Sequence, residues 1–184
     1  MTPEKLQEIK EKYGHMCSWA VWKEKDGKEK SNVGDLSLFD SAILNPNIVF
    51  VGLNISTRIL EPFANFHSPS PRAHDYKIRY AVSGTPFSGA YMTDIIKDFE
   101  EKAAGNMAKY ITKNKDFLEE NIITFKQELE FIGAVNPIII AFGNHAYKLL
   151  DGFPNLYKVS HYSSCVTKEV LREELRVIGV ACGF

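Results

Sequence analysis

Short apolar runs separated by longer segments of mixed polarity set the hydrophobic pattern of this chain. Residues 48–53 (IVFVGL) form the strongest run, which is continuously apolar and β-branched, as expected of a strand buried on both faces. Similar runs occur at residues 90–96 and 137–142, and a weaker one occurs at residues 156–160. The pattern therefore predicts four β-strands.

Helical patterns lie between these runs. In residues 117–132 the apolar positions recur at spacings of four and three, the stripe of a helix that packs on a sheet. Residues 144–150 and 167–177 are predicted as two further helices, and a Thr-Pro-Glu sequence at residues 2–4 opens a first helix. Alternating strands and helices predict a single α/β domain, a three-layer α/β/α arrangement with a four-stranded, largely parallel central sheet.

Two segments are predicted as loops. Residues 23–30 are charged around an Asp26-Gly27 turn and are expected to be solvated. Residues 54–74 form a long loop after the first strand of the predicted sheet.

The charge balance and the cysteine content limit the kinds of partner and metal site that the sequence allows. The 184 residues carry 22 basic and 23 acidic side chains, a net charge of −1. Because proteins that bind duplex DNA through its phosphates usually have a basic excess, the bulk charge does not favour nucleic acid. The three cysteines are scattered and form neither a disulfide framework nor a four-cysteine metal set. We therefore expect no cysteine-bound metal, and a reducing, cytoplasmic compartment.

Membrane association is not expected either. No stretch approaches the ~18–20 consecutive apolar residues that a membrane span needs. Residues 1–15 alternate charged and apolar side chains and lack the hydrophobic core of a signal peptide. The sequence also implies no obligate protein partner.

Polar residues follow each predicted strand. They include Asn54 after the first strand, Asp94 near the end of the second, Asn144 after the third and His161 after the fourth. In parallel sheets covered by helices, ligands bind outside the carboxyl ends of the strands. The sequence therefore predicts a binding site at this edge.

Four segments in this order resemble the uracil-DNA glycosylase superfamily: VFVGLNIS (49–56), YMTDIIK (91–97), IIIAFGNHAYKLL (138–150) and VSHYSS (159–164). The resemblance covers residues 45–165 and implies one glycosylase-like domain over residues 1–184. The first segment looks closest to the mismatch-specific and single-strand-selective branches, which carry Asn where the main family carries Asp. The cysteine count excludes the iron–sulfur branches.

The resemblance implies a metal-independent hydrolase of DNA repair that needs no metal and no cofactor. It would cleave the N-glycosidic bond of an aberrant base, such as a deaminated one. The base must leave the duplex to be reached. Asn54 would hold the attacking water, and His161 would donate a hydrogen bond to the departing base. Phe66 would stack on the flipped base, and Asp94 would occupy the base-reading position. The remaining assignments are base contacts at Gly52 and Ser163, and nucleic-acid contacts at Ser56, Arg72 and Ser164.

Three residues depart from the family pattern. Ile55 and Tyr162 stand where the family usually has Pro, and Asp94 stands where it usually has Asn. A carboxylate only accepts hydrogen bonds, whereas an amide also donates. Asp94 should therefore repel the O4 atom of uracil and prefer a donor-rich base edge such as an exocyclic amine.

Other interpretations of the same residues stay open. The fold could bind a nucleobase, a nucleotide or nucleic acid without cleavage, or could use His161 and Cys165 as a small-molecule hydrolase. His67 and His74 with Asp75 form a weak metal-site candidate.

Structural roles compete with the functional ones. Asn54 could be a turn residue, Asp94 could pair with a lysine, and Lys77 could lie on a solvated helix face or in a basic strip with Arg72 and Arg79.

A glycosylase further requires a positively charged groove on the strand-end face.

Overall fold

The computed structural model describes residues 1–25, 28–30, 41–68, 70, 72–97 and 99–184. The predicted Asp26-Gly27 turn lies outside the described residues. The prediction of a loop over residues 23–30 is wrong, because residues 23–25 and 28–30 pair as two antiparallel strands. The helices are α1 (Pro3–Tyr13), α2 (Tyr76–Val82), α3 (Ala104–Lys113), α4 (Lys115–Phe131), α5 (Gly143–Leu149) and α6 (Lys168–Cys182). The strands are β1 (Cys17–Trp19), β2 (Lys23–Lys25), β3 (Lys28–Lys30), β4 (Asn45–Asn54), β5 (Ala90–Ile96), β6 (Ile138–Phe142) and β7 (Leu156–Val159).

The fold is α/β, with a mostly parallel five-stranded sheet in the order β1-β5-β4-β6-β7. Strand β4 lies between β5 and β6 and runs parallel to both, and β6 pairs in parallel with β7. These are the four predicted strands. The predicted count of four is wrong, because β1 adds a fifth strand antiparallel to β5. Strand β1 has only three residues, too few to show a period of its own.

Helices cover both faces of the sheet. Alternate residues of a strand point to opposite faces, and in β4 Val49 and Val51 pack in one apolar cluster while Ile48 and Phe50 pack in the other. The first cluster includes side chains of α1, α3 and α4, and the second includes side chains of α2 and α6. Because β4 is buried on both faces, its sequence contains a continuous apolar run, and this run predicted the strand.

Side-chain caps fix two helix starts that the sequence predicted. Thr2 Oγ1 accepts a hydrogen bond from the backbone N–H of Lys5, at 3.2 Å, and Thr167 Oγ1 accepts one from Val170, at 3.3 Å. Helix α3 was not predicted, and its first turn has no side-chain cap.

A buried ion pair fastens α4 to β5. The Glu128 carboxylate is fully buried and pairs with Lys97. Its Oε1 also accepts hydrogen bonds from Tyr91, at 2.7 Å, and from Thr93, at 2.8 Å. Strand β5 is thus held in place just before its carboxyl end, where the predicted site lies.

Among the described residues, no helix is both long enough and apolar enough to cross a membrane.

Candidate functional site

A cleft of about 1400 Å³ opens at the carboxyl ends of β4, β5, β6 and β7. Most of the predicted site residues line it: Gly52, Asn54, Ser56, Phe66, Asp94, His161, Ser163 and Ser164. Arg72 is exposed and does not line the cleft. The topology thus brings together residues separated by more than a hundred positions, as the strand-end rule predicts.

Gly52 lies opposite Asp94 in the parallel β4–β5 register. A Cβ added at Gly52 would collide with the Asp94 Oδ1 atom and would lie 3.1 Å from Cζ of Phe66. The missing side chain at Gly52 therefore makes room for a carboxylate and an aromatic ring to approach the same stretch of backbone. This close approach forms the floor of the cleft.

Asn65 fixes the orientation of Asp94. Its Nδ2 donates to Asp94 Oδ2, at 2.8 Å, and to the Met16 carbonyl, at 2.9 Å. The second carboxylate oxygen, Oδ1, faces Gly52. Burial raises the pKa of Asp94 to about 6, against the opposing effects of the Asn65 hydrogen bond and of Lys97. Asp94 does not pair directly with Lys97, which binds Glu128 instead.

Phe66 is held by the same asparagine. Its backbone N–H donates to Asn65 Oδ1, at 3.0 Å, and its φ of 62° lies in the left-handed region, uncommon for a residue with a side chain. The ring lies 5.9 Å from Phe142 and 6.1 Å from Tyr162, measured between centroids. These three rings form an aromatic wall at the Phe66 side of the cleft.

Asn54 is a structural clamp as well as a cleft residue. Its Nδ2 donates to the carbonyls of Ile55, Phe99 and Glu101, at 2.8, 3.1 and 2.9 Å. The loop after β4 is thereby tied to the segment after β5. The Nδ2 group carries two protons, one of them shared between two of these carbonyls, whereas a carboxylate has none to donate, so the position favours an amide over a carboxylate. Among the residues that the structure describes, none donates a hydrogen bond to Asn54 Oδ1, so this atom can accept one from a ligand or a water.

His161 is oriented by the serine two residues further on. The backbone N–H of Ser163 donates to His161 Nδ1, at 3.2 Å, and the Ser163 hydroxyl lies 2.8 Å from the same nitrogen. Burial lowers the pKa of His161. Because Nδ1 accepts the backbone N–H, the neutral ring carries its proton on Nε2. His161 is thus prepared as a neutral hydrogen-bond donor.

Charges in the cleft are arranged by depth. Carboxylates outnumber basic side chains in the lining, five to three. Asp75 and Asp94 are buried, however, and Glu101 and Glu174 are half-buried. All three basic residues of the lining are exposed: Arg58, Lys102 and Lys158. Glu61 is the exposed acid of the lining. The exposed charged side chains of the lining are therefore mostly basic, while its buried and half-buried charged side chains are all acidic.

Two half-buried carboxylates of the lining are fixed by backbone amides. Glu174 accepts hydrogen bonds from the N–H and the hydroxyl of Ser160, at 2.8 and 2.7 Å. Glu101 accepts one from the N–H of Ala103, at 2.8 Å. Neither carboxylate is free to swing toward the rim without losing these bonds.

Several alternative sites are not assembled. Among the described residues, no group of three metal-ligating side chains occurs. His67 is buried, hydrogen-bonds the Trp19 carbonyl at 3.1 Å, and has its pKa lowered by burial to about 4, while His74 is exposed. Cys165 is exposed and does not line the cleft. The metal-site and Cys–His interpretations gain no support.

Lys77 lies neither on a solvated helix face nor in a basic strip, the two roles considered for it from the sequence. The side chain is buried, and Nζ donates to the Ser164 carbonyl, at 3.0 Å. Lys77 thus holds the loop that carries Ser163 and Ser164 rather than extending into solvent.

Asn65 and Glu174 were not found by sequence reasoning. Asn65 lies in a long loop with no motif around it, and its partners are 29 and 49 residues away along the chain. Glu174 lies on α6, one of several acids on an amphipathic helix. The sequence feature that could have pointed to Asn65 is its position next to Phe66.

Comparison of the chain with protein-family models, with curated proteins and with solved structures finds no match.

Proposed function

We propose that this cleft receives an aberrant nucleobase flipped out of DNA and that the protein hydrolyses its N-glycosidic bond. The observation that carries the proposal is the convergence of four groups on one cleft: the Phe66 ring, the Asp94 carboxylate, the Asn54 amide oxygen and the His161 ring. The protein would thus be a divergent, metal-independent member of the uracil-DNA glycosylase superfamily, with a three-layer α/β/α domain.

His161 supplies stabilisation of the leaving group. As the glycosidic bond breaks, negative charge develops on the departing base, and a hydrogen bond to that charge lowers the barrier. The neutral ring, with Nδ1 occupied by Ser163, directs its Nε2–H into this role. A neutral donor also avoids a permanent positive charge in a half-buried position.

Asn54 positions the nucleophile. Its Oδ1 accepts a hydrogen bond from water, while Nδ2 stays on the three backbone carbonyls. The water oxygen forms a bond to C1′, the C1′–N bond breaks, and its electrons leave with the base. The water proton passes to solvent and the base gains one. Because an amide is not a general base, the step is slow compared with carboxylate-assisted hydrolysis.

Asp94 selects the base edge. At neutral pH the Asp94 carboxylate is mostly ionised, since its pKa is about 6, and it accepts a hydrogen bond from an exocyclic amine. Below that pH the neutral acid donates, which suits a carbonyl oxygen such as O4 of uracil. Base preference should therefore change between pH 5 and 7.

The test is a cleavage assay on single-stranded and duplex oligonucleotides that carry cytosine mismatches, uracil, hypoxanthine, xanthine or alkylated bases, with abasic sites revealed by alkali. We expect strand scission by the wild-type protein and its loss in His161→Ala. Asp94→Asn should shift preference toward uracil. Absence of scission on every base by the folded protein would refute the hydrolase.

Binding without cleavage is the second candidate, and the Asn54 clamp favours it. An amide whose nitrogen holds three carbonyls has a structural reason to be there without any catalytic role. In that case, titration of fluorescent nucleobases and nucleotides would show saturable binding that Phe66→Ala weakens, with no abasic product.

A further inference from the structure

The charge buried in the cleft lining is negative. Asp75 and Asp94 are 8% and 3% exposed, and both line the cleft. The basic side chains of the lining are exposed, so water and salt screen their charge. Lys97 acts on Asp94 from outside the lining, but it is ion-paired with Glu128. A ligand deep in the cleft therefore meets a negative potential.

Both buried carboxylates act on the aromatic wall. Burial raises the pKa of the Tyr162 hydroxyl above its usual range, and the charges of Asp94 and Asp75 raise it further. The Tyr162 ring lies 6.1 Å from Phe66 and 5.3 Å from Phe142, between centroids. A planar cation stacked here is attracted by the electron-rich ring faces as well as by the carboxylates, whereas a neutral ring gains only the stacking.

His67 adds a buried acceptor to the lining. It is 5% exposed and lines the cleft. Its Nε2 lies 3.1 Å from the Trp19 carbonyl, which only accepts, so in the neutral ring Nε2 carries the proton and Nδ1 a lone pair. No residue in the described part of the chain donates to Nδ1. A ligand with several N–H donors suits such a lining better than one with several carbonyl oxygens.

The weak activation of water by Asn54 also suits a cationic base. In an N-alkylated base the ring carries a positive charge. The water oxygen forms a bond to C1′, the C1′–N bond breaks, and its electron pair neutralises the ring, while one water proton passes to solvent. The base leaves as a neutral molecule and takes up no proton. Such a step depends less on a general base, which an amide is not.

We propose that the cleft selects a cationic, N-alkylated base that carries an exocyclic amine. Its charge would lie on the aromatic wall, and its N–H groups would face the buried acceptors. The proposal rests on the proposed function and deepens it by naming the substrate class, which is base damage by alkylation rather than by deamination. A deaminated base is neutral and has gained a carbonyl oxygen, which the buried carboxylates repel.

A binding experiment tests the selection of charge without any cleavage. The probes are 3-methylcytidine and 5-methylcytidine, two isomers with an exocyclic amine, of which only the first is cationic at pH 7. Affinities are measured by chemical-shift titration, followed at the Phe66 amide. We expect wild-type protein to bind 3-methylcytidine more tightly by about tenfold or more.

Asp94→Asn removes the buried charge and keeps the shape, and its amide oxygen can still accept from Asn65. This variant should lose most of the preference for 3-methylcytidine, a change of about tenfold. The control is Asp151→Asn, which removes the same charge from an exposed residue outside the cleft and should keep the preference. Equal wild-type affinities for the two isomers, no binding of either, or a preference unchanged in Asp94→Asn would overturn the proposal.

A release experiment separates failure of this proposal from failure of the hydrolase. Single-stranded and duplex oligonucleotides carry 3-methylcytosine, 7-methylguanine or uracil, and the freed base is quantified by chromatography against a blank without protein. We expect the methylated bases to be released faster than uracil. Release of uracil alone would overturn the selection of a cation and leave the hydrolase standing. Tighter binding of 3-methylcytidine with no base released from any oligonucleotide would support the selection and refute the hydrolase alone.

Discussion

The close approach at the floor of the cleft can be tested by substituting Gly52 with alanine. In a strand interior, Gly→Ala would ordinarily stabilise a protein by about 0.5–1 kcal/mol. Here the new Cβ collides with Asp94 Oδ1 and lies 3.1 and 3.2 Å from two ring carbons of Phe66. The carboxylate cannot move aside freely, since Asn65 holds it at 2.8 Å. Overpacking of this kind costs about 1–3 kcal/mol, so we expect a net loss of about 1–2 kcal/mol.

The measurement is a double-mutant cycle by urea unfolding at pH 7, with Gly52→Ala, Asp94→Ala and the double variant. Asp94→Ala removes the colliding oxygen, so Gly52→Ala should cost much less in that background, with a coupling energy of about 1–2 kcal/mol. The control is Gly105→Ala in α3. No atom lies within 4 Å of its new Cβ, and a compatible Gly→Ala change stabilises by about 0.4–1 kcal/mol.

Equal costs of Gly52→Ala in the two backgrounds would refute the reasoning. That result would mean that the Asp94 carboxylate does not occupy the space beside Gly52, and the floor of the cleft would then need a different description.

Three further outcomes are expected. Asn54→Asp should destabilise the protein by about 1–3 kcal/mol at pH 7, because a carboxylate would face three carbonyls without a proton to donate; thermal unfolding that matched wild type would contradict the clamp. The pKa of Asp94 is raised from 3.8 to about 6, so between these values the folded protein keeps a proton that the unfolded chain releases. The contribution of Asp94 to the free energy of unfolding therefore falls by about 3 kcal/mol as pH rises through this window. Urea titrations should show that this fall is absent in Asp94→Asn. The pKa of His67 is lowered from 6.5 to about 4, and this residue acts in the opposite sense, because the protein loses stability as pH falls from 6.5 to 4. In Asp94→Asn the opposing effect of Asp94 is gone, so its free energy of unfolding should fall more steeply in acid than that of wild type.

The parts of the fold that sequence could predict are those with a local cause. The run at residues 90–96 matches β5 (Ala90–Ile96) because that strand is buried along its whole length, and Thr167 marks the start of α6 because its hydroxyl caps the helix. Residues 17–23 are aromatic and rich in β-forming side chains, but β1 was not predicted as part of the sheet, since its three residues become a strand only by pairing with β5.

The candidate site likewise has a part that the sequence predicts and a part that it does not. Its location follows from the strand ends, so Asn54, Asp94 and His161 reach one cleft as predicted. Their hydrogen-bond partners do not follow, because the carbonyls bound by Asn54 lie up to 47 residues away and no spacing rule connects them. Arg72 lies outside the cleft for a similar reason: its place depends on the path of the long loop rather than on a strand.

The hydrogen bond from the Phe66 N–H to Asn65 has an experimental consequence. Amide protons of exposed loops exchange with solvent quickly, whereas those held by buried partners exchange only when the local structure opens. The Phe66 proton is bound by a side chain that also holds Asp94 and the Met16 carbonyl. Its exchange rate therefore monitors three segments of the molecule at once. A single resonance would show how often the assembled floor comes apart, and how far an occupant slows that opening.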